Sequence, residues 1–482
     1  MLRTSSYFKC VATVGTVAVV TPRPLPAQPT VPDTVRVIAT LHTTILRAGP
    51  TIGPRIWPGF RPDTIPTLYV IPRLAKLFAQ WRDTLPTGFF PLSGAPNAAW
   101  TDTRTVSFPP GRIIAFLSVD SASSPGAVVG LALHEEFHAY QRASATRGRR
   151  FGAGENSMLV ATYPAFDVAN EAAFALEGRI LGRALRARSL PDARRFAREF
   201  VAVREDRYAR LDSTVVEFET AAELNEGLAQ YAMLRGLREL ARGDPARFGV
   251  AAAAEAAQEA ALLDSLLAVG PRSIRRRFYA TGSAIALLLD RIADSSWKSR
   301  LVREDATLHA MLADAAGYRG GTELARLRRD AERAVAALAA RRRAQRDSIL
   351  AQPGLRLVFD PSRLPGGRTS WCSFDPQNVL QTAEGELLHM RMLRVCSSAG
   401  VEVQFEQPVV ENRNTRVLRA VLSDASALRL KSADTAIALP ADGVTITLSD
   451  LRIEGPTLSA VAPRATLLRQ GPELRITLAS RP

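Results

Sequence analysis

The chain has 482 residues, 46% of them apolar and 23% charged, with a formal charge of +15. That length exceeds one ordinary domain, and the apolar share excludes wholesale disorder. The basic excess is nearly all Arg, the lysines being Lys9, Lys76, Lys298 and Lys431 alone. These arginines are spread among Ala, Leu and Glu without interleaved aromatics or a Gly pattern. They read as a solvated surface rather than a nucleic-acid patch, compatible with an anionic envelope nearby.

Arg3 and Lys9 flank a short polar start, Cys10–Val20 is apolar, and Pro22–Gln28 carries small residues near Ala27. This predicts a signal peptide over residues 1–27, because the apolar run is too short to span a bilayer. No other run is long and apolar enough to cross one, so the chain is expected to be exported, periplasmic or secreted. Export leaves Cys372 and Cys396, for which an oxidising compartment favours a disulfide over two buried thiols.

Residues 28–65 are rich in Pro and Gly, and beyond a short Val35–Leu46 segment they read as extended loops. Thr67–Ile71 and Arg112–Val119 read as strands, so residues 28–125 are expected to form the sheet side of the first globular part. From Gly126 to about Leu350 the composition turns to Ala, Leu, Arg and Glu and helix dominates, with breaks at Gly148–Gly154, Pro164, Pro191, Pro245 and Pro271. Glu323–Leu350 reads as a long charged helix whose Arg341–Arg343 face solvent. Composition shifts again at Gln352-Pro353-Gly354. Short alternating segments follow at Leu355–Phe359, Glu386–Cys396, Val401–Phe405, Arg416–Leu422, Ala436–Leu439, Val444–Leu448 and Glu473–Leu478. Residues 355–482 are therefore expected to form an antiparallel sandwich or barrel, and the whole an α+β chain. His42, His309 and His389 stand alone in their segments and read as structural.

The chemistry gathers at His134-Glu135-Glu136-Phe137-His138, an H-E-x-x-H inside the helical run Gly126–Gln141. Val129, Leu133, Phe137 and Tyr140 make one apolar stripe of that helix. The two histidines lie one turn apart on another side, where neutral imidazoles can share a Zn²⁺ while Glu135 reaches its water as general base. A catalytic zinc needs a third protein ligand and an open position. Four downstream carboxylates compete: Glu226, Glu171, Glu177 and Glu155. Tyr279 lies in the uncharged stretch Phe278–Leu289, where a buried phenol needs a polar partner. Asn225 and Gln141 stand beside the ligands as supporting groups.

H-E-x-x-H, then Asn225-Glu226-Gly227-Leu228-Ala229, then Tyr279-x-x-Gly282 leading into Leu287-Leu288-Leu289, resembles the gluzincin metallopeptidases, most closely the aminopeptidase N type. The resemblance spans residues 112–290 at three short segments. It implies a mostly helical zinc-peptidase domain at 126–350, with His134, His138 and Glu226 as ligands, Glu135 as base and Tyr279 as donor to the oxyanion. The gap from His138 to Asn225 is longer than in that family. The G-x-M-E-N segment that receives a substrate's free amino end is absent upstream. What the resemblance implies is peptide-bond hydrolysis of a peptide or protein substrate, by endopeptidase action or at another peptide end. Two other readings share the motif: an envelope protein with a closed structural zinc site and a β binding module, and a zinc hydrolase of non-peptide substrates.

Overall fold

The computed structural model describes residues 31–71, 76–80, 88–91, 106–107, 113–119, 124–161, 163–165, 167–265, 274–320, 323–367, 369–375 and 378–480. The signal-peptide reading for residues 1–27 lies outside the described residues. The chain is mixed helix and sheet and divides into two compact units. One gathers residues within 1–163, 177–266 and 275–324, the other residues within 164–176, 267–274 and 325–482.

The first unit corrects the reading of its start. Residues 31–56 are not loops but one helix, α1 (Val31–Ile56), with Pro50 and Pro54 inside it. Ile38, Leu41, Ile45, Ile52 and Ile56 are all buried, so one stripe of the helix supplies core and outweighs the local cost of the prolines. Gly49 and Gly53 are where the returning chain lies against the helix: a Cβ at Gly53 would stand 2.4 Å from the Phe60 carbonyl.

A five-stranded sheet follows, in the order β3-β2-β1-β5-β4, with β1 Thr67–Ile71, β2 Lys76–Gln80, β3 Gly88–Pro91, β4 Val106–Ser107 and β5 Ile113–Ser118. β1 and β5 pair in parallel and the other pairs are antiparallel. Helix α2 (Pro125–Ala143) then packs on β5. Its start is fixed by the Ser124 hydroxyl, which accepts from the Ala127 N–H, and by Pro125 in the first turn. Val129, Leu133 and Phe137 are fully buried, and the Phe137 ring meets Trp57 and Phe60 edge-on at 5.6 and 5.2 Å.

The remaining helices are α3 (Val168–Arg186), α4 (Leu190–Tyr208), α5 (Ser213–Ala222), α6 (Leu228–Gly243), α7 (Pro245–Asp264), α8 (Ile274–Ile292), α9 (Trp297–Glu304) and α10 (Leu308–Ala316). α5 runs into α6 through a π-helical turn, Glu223–Gly227. Such turns cluster at functional sites because they re-aim the side chains they carry. The turn crosses α8 where two glycines meet: a Cβ on Gly227 would lie 2.6 Å from the Gly282 Cα and 2.9 Å from the Phe278 carbonyl. Behind it lies a charged network sealed from water. Arg204 and Arg207 donate to Glu177, Glu219 and Glu223, and the Thr281 hydroxyl also donates to Glu223. All five charged residues are at most 1% exposed, which such charges sustain only when paired and hydrogen-bonded.

The second unit is built on α11, which runs Glu323–Leu350 as the sequence predicts. From residue 325 it groups with the β strands rather than with the helical unit. Leu338 packs with Val168 and Ala172, and Ile349 with Leu388 and Val410. Arg342 is not on a solvated face: it is 4% exposed and donates to the Gln381 carbonyl at 2.8 Å.

The sheet has thirteen strands: β6 Leu355–Arg363, β7 Ser370–Phe374, β8 Val379–Gln381, β9 Glu386–His389, β10 Leu393–Cys396, β11 Glu402–Phe405, β12 Val409–Asn412, β13 Leu418–Leu422, β14 Arg429–Ser432, β15 Thr435–Ile437, β16 Thr445–Gly455, β17 Leu458–Gln470 and β18 Glu473–Ala479. It is one sheet curled into a half-barrel, antiparallel except where β18 pairs β6. β17 explains the curl. It pairs β11 through Leu458–Val461 and β18 through Arg464–Gln470, and Pro463, which has no N–H to give, falls between the two ladders. Opposite it, Asp450 on β16 has φ 49°. The sheet's strands share one core, mostly Leu, Val, Ile and Phe with small Ala. Cys372 on β7 and Cys396 on β10 form a disulfide. His389 is buried against Glu411 at 2.8 Å, and His42 against the Tyr69 hydroxyl at 2.9 Å.

Candidate metal centre

α2 brings His134 and His138 to one face, as an i, i+4 spacing requires. Their Nε2 atoms lie 3.2 Å apart. The π turn delivers Glu226 to the same point, its Oε2 3.3 Å from His138 Nε2 and 3.7 Å from His134 Nε2. Among the described residues these three form the one group of His, Cys, Asp and Glu side chains close enough to share an ion. The donor set can be tested against zinc. Ligands at 2.0–2.1 Å around a tetrahedral ion stand about 3.3 Å apart, and the three separations scatter around that value. Two imidazoles and a carboxylate are also the donor types zinc takes.

Each ligand is held from behind. His138 Nδ1 pairs with Gln141 Oε1 at 3.1 Å, and Gln141 donates in turn to the Leu224 carbonyl at 2.8 Å. One amide thus turns the ring so that Nε2 faces inward, and ties α2 to the π turn. Glu226 Oε1 accepts from Asn225 Nδ2 at 3.2 Å and from Arg275 Nη2 at 2.6 Å. Without an ion these groups hold each other electrostatically. Burial works against charge on His138, but the Glu226 carboxylate and Glu135 lift its pKa to about 9. Burial opposes charge on Glu226 too, yet His138, His134 and Arg275 bring its carboxyl well below the usual range. Burial lowers His134, with Glu226 pulling the other way.

Glu135 follows His134 on the helix, its Oε1 3.8 Å from His134 Nε2, and is 1% exposed. Glu136 points the opposite way: it accepts from the Thr67 hydroxyl at 2.9 Å, and burial raises its pKa well above the ordinary value. The Tyr279 ring stacks on His134, 5.7 Å between centroids and 10° from parallel. Burial and then the Glu226 charge raise the Tyr279 phenol well above its ordinary pKa, so it keeps its proton.

The other carboxylates weighed as third ligand are placed otherwise. Glu177 is spent on Arg204 and Arg207. Glu171 belongs to the second unit. Glu155 is paired with Arg275. Arg275 itself escaped the sequence reading, although its spacing of four from Tyr279 puts both on one face of α8.

Comparisons with protein-family models, with curated proteins and with solved structures return no match. The centre stands on its own geometry. Among the described residues no helix is long and apolar enough to cross a membrane.

Proposed function

We propose that this chain is an exported zinc peptidase of gluzincin type, with its catalytic domain in the helical unit. The observation that carries the reading is the convergence of His134, His138 and Glu226 Oε2 at tetrahedral spacing with Glu135 beside them. Zn²⁺ bound there would supply a Lewis acid that polarises a carbonyl and acidifies a water. Glu135 takes the proton of the attacking water and returns it to the departing amine nitrogen. Tyr279, protonated and aligned along His134, donates its phenolic hydrogen to the developing oxyanion. Gln141 keeps His138 in the tautomer that leaves Nε2 free to coordinate.

A purely structural zinc site is closed by a fourth protein ligand. Three ligands converge among the described residues, which favours an open, catalytic position over the closed alternative. The Cys372–Cys396 disulfide suits the oxidising compartment that a cleaved signal peptide would lead to.

The test is a substrate panel. Purified protein is expected to cleave mixed peptides and to stop when a chelator removes its zinc, with activity restored by one equivalent of Zn²⁺. Cleavage of esters alone would redirect the reading to a non-peptide hydrolase, and zinc binding without hydrolysis of any kind would contradict it.

A further inference from the structure

We propose that Arg275, anchored by Glu155, is the positioning residue that makes Glu226 a one-oxygen ligand. The inference rests on the metal-site reading above and extends it to groups that no motif includes.

The two oxygens of Glu226 face different partners. Oε2 faces both imidazoles, while Oε1 receives Arg275 Nη2 at 2.6 Å and Asn225 Nδ2 at 3.2 Å. A carboxylate beside a cation can swing to offer either oxygen or both. With Oε1 taken by a charge-assisted bond, only Oε2 is left to coordinate. Arg275 can do this because its own position is fixed. Its Nε donates to Glu155, whose side chain is 3% exposed, whereas that of Arg275 is 26% exposed. The planar guanidinium therefore bridges two carboxylates through two of its nitrogens, Nε and Nη2, a geometry a lysine cannot reproduce.

Charge leads to the same conclusion. Glu135, Glu155 and Glu226 bring three negative charges to this corner, and Arg275 returns one positive charge. A divalent cation at the histidines completes the neutralisation, which buried charge requires. Arg275 and Tyr279, one turn apart on α8, both meet the third ligand: Arg275 through Glu226 Oε1, and Tyr279 through its phenol while its ring lies along His134.

The experiment is a zinc-affinity series on the full chain by competition with a chromogenic chelator, with the visible spectrum of the Co²⁺ form as a second readout. Wild type, Arg275→Ala, Arg275→Lys, Glu155→Gln and Arg275→Ala/Glu155→Gln are compared, with the melting temperature of each metal-free protein as the folding check. Arg275→Ala is expected to weaken zinc binding by about 10–100-fold. It should also change the Co²⁺ band intensities as Oε1 joins the coordination. Arg275→Lys should recover part of the affinity. Glu155→Gln should lose less than Arg275→Ala, and the double variant should lie within about twofold of Arg275→Ala alone, because Glu155 acts through the arginine.

Wild-type affinity and an unchanged Co²⁺ spectrum in Arg275→Ala would overturn the proposal, as would full additivity of the two substitutions. If Arg275→Ala proves unfolded, the conservative Arg275→Lys and Glu155→Gln decide by the same criterion. A wild-type chain that binds no zinc, or one indifferent to Glu226→Gln, would bring down the metal-site reading and this inference with it.

Discussion

Gly227→Ala is expected to move the third ligand off the two histidines. The added Cβ would stand 2.6 Å from the Gly282 Cα and 2.9 Å from the Phe278 carbonyl oxygen, both backbone atoms of α8 that cannot rotate away. Ordinary contact begins near 3.4 Å, so the π turn and α8 must part by about 1 Å in an interior that is otherwise close-packed. Overpacking of this kind costs about 1–3 kcal/mol. Glu226 is the residue immediately before it, and metal geometry tolerates only about 0.5 Å of displacement, so zinc affinity should fall about tenfold or more. Urea unfolding of the chelator-treated protein reads the first effect and chelator competition the second. Gly249→Ala is the control: in α7 nothing lies within 4 Å of its Cβ, and the same substitution should stabilise by about 0.5–1 kcal/mol through helix propensity. A Gly227→Ala variant with wild-type stability and zinc affinity would show that the glycine crossing does not set the site.

Gln141→Leu removes the partner of His138 Nδ1 and the side-chain donor to the Leu224 carbonyl. Zinc affinity should drop about tenfold or more, and unchanged affinity in the chelator assay would contradict that role. Glu177→Ala leaves two buried arginines with one carboxylate each and should cost about 3–5 kcal/mol in urea unfolding; a loss under about 1 kcal/mol would mean the network is not tight. His42 is fully buried, and burial lowers its pKa to about 4 from an ordinary 6.5. Between those values the unfolded chain binds a proton that the folded chain refuses. The stability from His42 is therefore complete above pH 6.5 and is lost as pH falls towards 4, by about 3 kcal/mol in all. His42→Asn should lose that part of the pH dependence, and a variant curve parallel to wild type over pH 4–6.5 would refute the assignment.

The sequence was legible where one signal stood alone. The H-E-x-x-H helix, the strands at Thr67–Ile71 and Ile113–Ser118 and the long helix Glu323–Leu350 each carry a period or composition that nothing nearby contradicts. It misled where local and tertiary effects compete. Four Pro and Gly in Gly49–Pro54 signal a loop, but the buried stripe from Ile38 to Ile56 keeps them in a helix. β17 was missed because Pro463 interrupts its pattern at the point where the strand changes partners. At the site, the ligands carry a motif and their supports do not. Arg275, Glu155 and the Arg204–Arg207 network take their roles from where helices cross, which spacing along the chain does not encode.

Glu135→Gln tests the central claim most directly. The amide keeps the shape of a side chain whose carboxylate lies beside His134 without being one of the three converging ligands. The variant should bind one equivalent of zinc with near wild-type affinity while peptide cleavage falls by at least about 100-fold, the scale of a lost general base. Full zinc occupancy with cleavage at the wild-type rate would contradict the account.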